Sequence, residues 1–397
     1  MENLLLSSKD QLAQLDTSYI RYLRDKIDWS DRLIGIVGAR GTGKTTLLLQ
    51  HLQQQYGFSE EAIYISLDDI YFTENSLMEF IKNFRVRGGC YFYFDEVHKY
   101  PNWAREIKNA YDQFKDIQIV FTGSSIIDIL KQNVDLSRRA SMYELPGLSF
   151  REFLSISGIK NLEKFSLSDI VAHHSELSMQ LTKDFRPLKY FRDYLNYGYY
   201  PFFLENVSSF HRKLKQVVNL VIGTDINFID GYDPKNARKV LHLLYLLAAN
   251  VPFKPNISRL SEKIGVHRNT LIHYLHYLEK ASIIHMINGQ GISVSALQKP
   301  EKIFLRNTNL SYALSPAECN IGTLRETFFV SQIEPVYSLS IPLKGDFFVD
   351  EKYTFEVGNK SKTTKQIKEV KDAFVVSDDM ERGIGNKIPL WLFGLLY

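Results

Sequence analysis

Residues 33–46 read LIGIVGARGTGKTT, and this stretch decides the class of fold. An apolar run leads into residues 38–45, which match the pattern G-x-x-x-x-G-K-S/T in full. Glycines allow the backbone to curl so that successive N–H groups face a phosphate group. A helix predicted at 45–55 adds the positive end of its dipole. The stretch therefore predicts a strand, a phosphate-binding loop and a helix, the start of a nucleotide-binding α/β core.

The loop residues are expected to contact a bound nucleotide. Lys44 is predicted to reach the β- and γ-phosphates as a catalytic cation, and the Thr45 hydroxyl to ligate Mg²⁺. The complete predicted set is Gly38, Ala39, Arg40, Gly41, Thr42, Gly43, Lys44, Thr45 and Thr46.

Short apolar segments alternate with helix-length stretches over the first 150 residues. Strands are predicted at 32–37, 62–66, 90–94, 117–121 and 141–145. Because these segments lack polar alternation, they predict a parallel sheet that is covered on both faces.

Two carboxylates follow the strand at 90–94. Asp95 stands at the end of a strand, where open α/β sheets bind ligands, and is expected to hold Mg²⁺ through water. Glu96 is adjacent and is predicted to polarise the attacking water as a general base. His98 is expected to form local hydrogen bonds rather than to ligate a metal.

Three further residues have two open interpretations each. Ser124, after the next strand, either contacts the γ-phosphate or the attacking water, or caps a helix at 126–131. Arg138 and Arg139 either reach the nucleotide of a neighbouring subunit, where a cation stabilises transition-state charge, or lie on the surface. The first role for the arginines implies a homo-oligomer.

The segments GARGTGKTT, YFYFDEVHKYPNW, FTGSS and LPGLSFREF together resemble a family of prokaryotic AAA-type ATPases. In that family the ATPase core is joined to a C-terminal domain with a restriction-endonuclease-like fold, and the resemblance covers essentially the whole chain. It implies ATP and Mg²⁺ as ligands, strand order 5-1-4-3-2, a helical lid, a winged helix and an α+β nuclease-like domain. The corresponding domains are residues 1–155, 156–235, 236–306 and 307–397.

Residues 256–287 predict a helix-turn-helix, with helices at 256–264 and 267–280, a turn at Gly265 and a following strand pair at 283–288 and 302–305. The second helix would present Arg268, Asn269, Thr270 and His273 to DNA. A basic patch supports this prediction, and its members are Lys254, Arg259, Lys263 and Arg268. The alternative is a spacer between domains that does not contact DNA.

The resemblance places Glu326 on a helix and Asp346 and Glu356 on the strands of a hairpin at 346–357. An active nuclease of this type needs a lysine two residues after Glu356, where Gly358 stands. Lys360 or Lys362 could substitute for it. The simpler interpretation is a degenerate domain that binds nucleic acid or protein without cutting it. The carboxylates could also be polar cross-strand pairs.

Composition excludes several classes of protein. The 48 Lys+Arg and 45 Asp+Glu give a net charge of +3, which excludes a uniformly basic nucleic-acid coat. Cys90 and Cys319 are far apart, which argues against a disulfide framework and favours the cytoplasm.

The N-terminus lacks the features of a signal peptide. The apolar run 388–397 is too short to span a membrane, so no membrane partner is expected, and it predicts a buried strand that completes a sheet.

These patterns predict an ATP-binding, Mg²⁺-dependent hydrolase. Its nucleotide state would rearrange C-terminal domains that bind DNA or protein. Two alternatives stay open: a nucleotide-switched DNA-binding regulator without significant turnover, and an ATP-controlled nuclease.

Overall fold

The computed structural model describes residues 1–123, 136, 138–224, 233–291 and 299–397. The chain divides into two compact units, unit 1 (Met1–Gly147) and unit 2 (Leu148–Tyr397). Ser124 and the helix predicted at 126–131 lie outside the described residues. The four-part domain division stays a prediction.

A five-stranded parallel sheet forms the centre of unit 1. Its strands are β1 (Leu33–Val37), β2 (Ala62–Ser66), β3 (Tyr91–Asp95), β4 (Gln118–Gly123) and β5 (Ser141–Glu144). They lie in the order β2-β3-β4-β1-β5, which confirms the predicted 5-1-4-3-2 order. Each strand starts and ends within two residues of its prediction. For β1 to β4 the reason is that apolar runs mark buried strands, whereas β5 at the edge of the sheet is largely exposed or half-buried.

Helices cover both faces of this sheet. They are α1 (Glu2–Ala13), α2 (Lys44–Tyr56), α3 (Leu77–Val86) and α4 (Trp103–Gln113). Side chains of α3 and α4 pack with Phe92 and Phe94 on one face, while α2 packs with Tyr93 on the other. Helix α1 contributes Leu4 to the first core and Leu12 to the second. It therefore lies along the edge of the sheet beside β2.

Unit 2 begins with helices, as its weak strand signal indicates. They are α5 (Phe150–Ile156), α6 (Leu167–Leu181), α7 (Pro187–Tyr197), α8 (Phe210–Gly223), α9 (Ala237–Ala248), α10 (Ile257–Ile264), α11 (Arg268–Lys280), α12 (Thr308–Leu314) and α13 (Ile321–Ile333). Gly265, with φ 69°, ends α10 in the left-handed conformation, so the predicted turn lies between α10 and α11. Among the described helices, none has both the length and the apolarity that crossing a bilayer requires.

Two sheets complete unit 2. A small antiparallel pair consists of β6 (Ile284–Ile287) and β7 (Lys302–Leu305). The larger mixed sheet has the order β12-β11-β10-β9-β8. Its strands are β8 (Leu339–Ser340), β9 (Phe347–Val349), β10 (Tyr353–Gly358), β11 (Ala373–Ser377) and β12 (Lys387–Pro389). Strands β9 and β10 form the predicted antiparallel hairpin.

The prediction of a strand over the final apolar run is wrong for most of its length. Strand β12 ends at Pro389, and Leu390–Leu395 form a 3₁₀ helix. Proline has no backbone N–H and therefore cannot donate a hydrogen bond within a sheet. Its presence at position 389 favours the end of the strand there. The run is nevertheless buried through Tyr397, as expected from its apolar composition.

Candidate nucleotide-binding site

The phosphate loop, residues 38–45, joins β1 to α2 through three glycines with positive φ. Gly38, Gly41 and Gly43 have φ of 154°, 83° and 91°. A Cβ atom on Gly38 would lie 2.4 Å from the carbonyl oxygen of Leu145, so no other residue fits at that position. These positions therefore need glycine, because a side chain would clash or strain the backbone. The glycines allow the loop to curl above the first turn of α2.

Lys44 is the first residue of α2, and its ammonium group lies within the loop. Its Nζ donates hydrogen bonds to the carbonyl oxygens of Gly38 (3.0 Å) and Ala39 (2.8 Å). The side chain of Thr42 also donates to Ala39 O, at 2.9 Å. Arg40 and Thr46 are half-buried, and Gly41 is exposed at the tip of the loop. A buried ammonium group at the start of a helix suits the binding of phosphate oxygens.

The Asp95 carboxylate accepts hydrogen bonds from three hydroxyl groups. Thr45 Oγ1 lies 2.6 Å and Tyr64 OH 2.9 Å from Oδ2, and Thr122 Oγ1 donates to Oδ1. Asp95 is only 3% exposed. Within the part of the chain that the structure describes, no lysine or arginine forms an ion pair with this carboxylate. Burial and the nearby Asp95 raise the pKa of Tyr64 well above its usual value, so the phenol stays protonated and donates.

This donor set fits Mg²⁺. One carboxylate and one hydroxyl, 2.6 Å apart, are the kind of oxygen ligands that Mg²⁺ takes from a protein when the phosphates of a substrate supply others. The predicted pair of Thr45 and Asp95 is thus brought together by the meeting of the loop and the end of β3.

Glu96 follows Asp95 in a left-handed conformation, with φ 52° and ψ 39°, which costs a non-glycine residue roughly 1 kcal/mol. Its carboxylate Oε2 lies 3.3 Å from His98 Nε2 and 3.7 Å from Arg40 NH2. Burial, together with the positive charges of Lys99, Lys44 and Arg40, lowers the pKa of His98 to about 3. His98 is therefore neutral at physiological pH, and its contact with Glu96 is not an ion pair.

Sequence patterns missed three residues that support the site. Tyr64 and Thr122 hold Asp95, although Thr122 is part of the FTGSS segment that drew attention to Ser124. Arg21 is 2% exposed and donates to Thr42 O, to Pro146 O (2.7 Å) and to Gly147 O (3.0 Å). Arg21 lies in no recognisable motif, so only the folded chain reveals that it braces the loop.

The two candidate arginines differ in their surroundings. Arg139 forms a two-pronged ion pair with Asp112 of α4, at 2.8 and 2.9 Å. Arg138 is exposed. The geometry favours Arg138 for a role in a neighbouring subunit, and that role stays a prediction.

A second charged cluster lies in unit 2, and its three carboxylates, Glu326, Asp346 and Glu356, are termed the acidic cluster. Lys302 Nζ lies 3.2 Å from Glu326 Oε2 and 3.7 Å from Asp346 Oδ1. Lys362 Nζ lies 2.7 Å from Glu356 Oε1. The fold therefore gathers the carboxylates that the resemblance implied, but each faces a lysine.

Burial raises the pKa of Glu326 and of Glu356, and the lysines oppose this shift. The two lysines offset two of the three carboxylate charges of the acidic cluster. Among the described residues, no group of three or more His, Cys, Asp or Glu could hold a metal ion. Lys360 does not join the cluster: it is exposed, and its carbonyl oxygen accepts from Lys387 Nζ at 2.8 Å.

Comparison with known proteins identifies the class of unit 1. Residues 30–154 match the family model of the AAA domain. Together with the phosphate loop and the sheet order, this match makes the core an AAA domain of the P-loop class. Residues 188–320 match the model of a domain of unknown function, DUF8612. No curated protein matches the chain in sequence.

Solved structures give weaker likenesses. AMPPCP-bound DnaA from Aquifex aeolicus is 15% identical over 65% of this chain and 84% of that chain, with a TM-score of 0.28. The Hsp104–ADP complex of S. cerevisiae is 14% identical over 70% of this chain and 39% of that chain, with a TM-score of 0.29. TM-scores this low carry no argument, so the class of the core rests on the family model, the loop and the sheet. The nuclease-like character of unit 2 stays a prediction.

Proposed function

We propose that unit 1 binds ATP with Mg²⁺ and hydrolyses it to ADP and phosphate. The observation that carries this proposal is the 2.6 Å hydrogen bond between Thr45 of the loop and Asp95 of β3. It joins the two elements that an ATPase must hold together: the one that binds phosphate and the one that positions the metal.

Each residue has a distinct role in the reaction. The loop N–H groups and Lys44 bind the β- and γ-phosphates, while Thr45 and Asp95 would hold Mg²⁺. When bound, Mg²⁺ supplies positive charge that offsets the charge of the phosphate oxygens. The Glu96 carboxylate orients the attacking water and accepts its proton. The N–H of Glu96 donates to Thr122 Oγ1 at 3.3 Å, which fixes the backbone at this point.

Steady-state ATP turnover tests this proposal. Glu96→Gln should lower the rate about 100-fold, the lower end of the usual range for a general base, while Mg²⁺–ATP still binds. Exposed Glu60 provides a matched control, and Glu60→Gln should leave the rate unchanged. Equal turnover by the wild type and by Glu96→Gln would refute hydrolysis at this site.

A nucleotide-controlled switch with slow turnover is the second candidate. The contacts of Glu96 with Arg40 and His98 favour it, because they engage the carboxylate that would otherwise orient water. Measuring turnover with and without DNA separates the two. A motor should hydrolyse faster when DNA binds, whereas a switch should change its DNA affinity with ATP and keep a low rate.

The nucleotide state would act on DNA or protein binding by unit 2. Arg21 gives this idea a physical basis, because it bonds both Thr42 in the loop and Gly147, the last residue of unit 1. Residues 236–306, which contain α9, α10, α11, β6 and β7, would form a winged helix that contacts DNA, and residues 156–235 would form a helical lid. A homo-oligomer with Arg138 acting in trans would show an ATP-dependent increase in mass; a monomer in both states would remove that role.

The acidic cluster gives the nuclease alternative little support: Lys362 lies beside Glu356, as that alternative requires, but no group of carboxylates among the described residues could hold the metal. Plasmid DNA incubated with Mg²⁺ or Mn²⁺ should therefore stay intact. Cleavage that disappears in Glu356→Ala would restore the nuclease interpretation.

A further inference from the structure

A groove of about 410 Å³ lies beside α10 in unit 2. This basic groove has a cationic rim of Lys254, Arg259 and Lys263 and an apolar floor of Leu246, Phe253 and Leu260. None of the described residues that line it is acidic. The combination differs from an ordinary solvated helix face, in which charges of both signs alternate.

The three cations of the rim lack carboxylate partners. Each is exposed, and none forms an ion pair with another described residue. Lysines elsewhere in unit 2 do have carboxylate partners: Lys213 lies 2.5 Å from Glu205, and Lys160 lies 3.0 Å from Asp184. Concentrated positive charge without internal compensation favours an anionic ligand.

The shape of the groove is fixed before any ligand binds. Phe253 exchanges two backbone hydrogen bonds with Ile303 of β7, at 2.9 and 2.8 Å, which anchors one wall. Asn256 caps α10 by accepting from the N–H of Arg259 at 3.1 Å. Arg259 and Lys263 are four residues apart on this helix, so they share one face with Cβ atoms roughly 6 Å apart.

We propose that the basic groove binds a single strand of nucleic acid. Spaced cations can follow the phosphates of a strand, and the half-exposed ring of Phe253 offers a face on which an unstacked base can lie. In a duplex the bases are stacked on one another, and an acidic peptide would leave the ring without a planar partner. The inference does not depend on ATP hydrolysis; it rests on the proposed DNA binding by the winged helix, whose basic patch includes the three rim residues, and assigns a single strand to this groove.

Fluorescence anisotropy of the full chain with a labelled 12-nucleotide oligothymidylate tests the proposal. The double variant Arg259→Gln/Lys263→Gln should weaken binding roughly tenfold at 50 mM salt and lower the salt slope by about 1.4, the value for two lost phosphate contacts of a single strand. The control Lys183→Gln/Lys368→Gln changes two exposed lysines of unit 2 that lie outside α10 and α11, and it should bind as the wild type does.

A second variant probes the ring independently of charge. Phe253→Leu should weaken oligonucleotide binding at least fivefold, the low end of the effect of one base–aromatic stack, with an unchanged salt slope. Thermal melting curves check that each variant is folded, and they should overlay the curve of the wild type. For the rim variants this is expected because the substituted residues are exposed.

Several results would overturn the proposal: no oligonucleotide binding, equal affinity for a 12-base-pair duplex, or the same loss of binding in the control variant as in the rim variant. Displacement of the strand by a glutamate peptide of equal charge at the same concentration would assign the groove to an acidic peptide instead.

Discussion

Asp95 in unit 1 and Glu356 in unit 2 are both buried carboxylates on strands of their sheets, yet their partners are opposite in kind. Asp95 is surrounded by the neutral hydroxyls of Thr45, Tyr64 and Thr122. Glu356 faces the ammonium group of Lys362 at 2.7 Å. Hydroxyl donors orient a carboxylate but leave its charge available for a cation, whereas an ammonium group neutralises it. The partner, more than the acid, decides which site can use Mg²⁺.

The position on the strand explains this difference. Asp95 ends β3 at the edge of the sheet where the phosphate loop lies. Glu356 lies within β10, and its lysine comes from the turn that follows the strand. The first location opens toward a ligand, in agreement with the rule for the carboxyl ends of parallel strands.

Removing each acid gives the largest expected contrast. Asp95→Asn keeps the size of the side chain but removes its charge, and should lower Mg²⁺-dependent ATP turnover about 100-fold because the metal is no longer held. Glu356→Gln should leave turnover unchanged. Steady-state rates over a Mg²⁺ titration measure both. If Asp95→Asn turns over ATP as fast as the wild type does, Asp95 is not the residue that holds the metal.

Tyr64 sharpens the comparison, since it is a positioning residue that acts only through Asp95. Tyr64→Phe should raise the half-saturating Mg²⁺ concentration about tenfold, the low end for loss of a partner behind a metal ligand. Nucleotide binding without metal should be unaffected. Tyr56→Phe is the control, because its hydroxyl bonds Gln118 at 3.4 Å. A purely structural role for Tyr64 would lower the rate at saturating Mg²⁺ and leave the Mg²⁺ midpoint in place.

The lysine partner of Glu356 can be removed alone. Lys362→Met leaves a carboxylate that is 1% exposed without its cation, and should reduce the free energy of unfolding by about 1 kcal/mol after allowance for the partial exposure of Lys362. Lys360→Met, two residues away at an exposed position, should change nothing. Chemical denaturation measures both variants. Equal stability of the two would show that the ion pair does not compensate Glu356.

The pH dependence of this loss follows from the raised pKa of Glu356. A carboxyl group whose pKa is raised by folding adds stability when protonated, and that contribution disappears as pH rises from the unfolded value of 4.5 through the folded value. Lys362→Met raises the folded pKa further. Its destabilisation should therefore shrink as pH falls from 7.5 toward 4.5. A loss that stays constant over this range would assign the effect to packing instead of charge.

Sequence patterns predicted the structural features that depend on interactions between residues close together in the chain. Apolar runs located strands β1 to β4 of unit 1, and the glycines of the loop have the positive φ that their spacing indicates. The helices at 256–264 and 267–280 and the hairpin at 346–357 also lie where they were predicted. In each case the signal depends on residues within about ten positions of one another.

Contacts between distant residues could not be predicted in this way. Tyr64 reaches Asp95 because β2 pairs with β3, 31 residues along the chain. Lys302 joins the acidic cluster from β7, 24 residues before Glu326. Arg21 braces a backbone segment 125 residues away. Such partners depend on how elements pack, and sequence periodicity carries no information about packing partners.

Titration calorimetry of the full chain with Mg²⁺–ATP tests the central claim most directly. The account predicts saturable binding of one nucleotide per chain that requires Mg²⁺ for full affinity and is lost in Lys44→Ala, with exposed Lys115→Ala binding as the wild type does. No heat of binding by the wild type, or the same binding isotherm in Lys44→Ala, would contradict it.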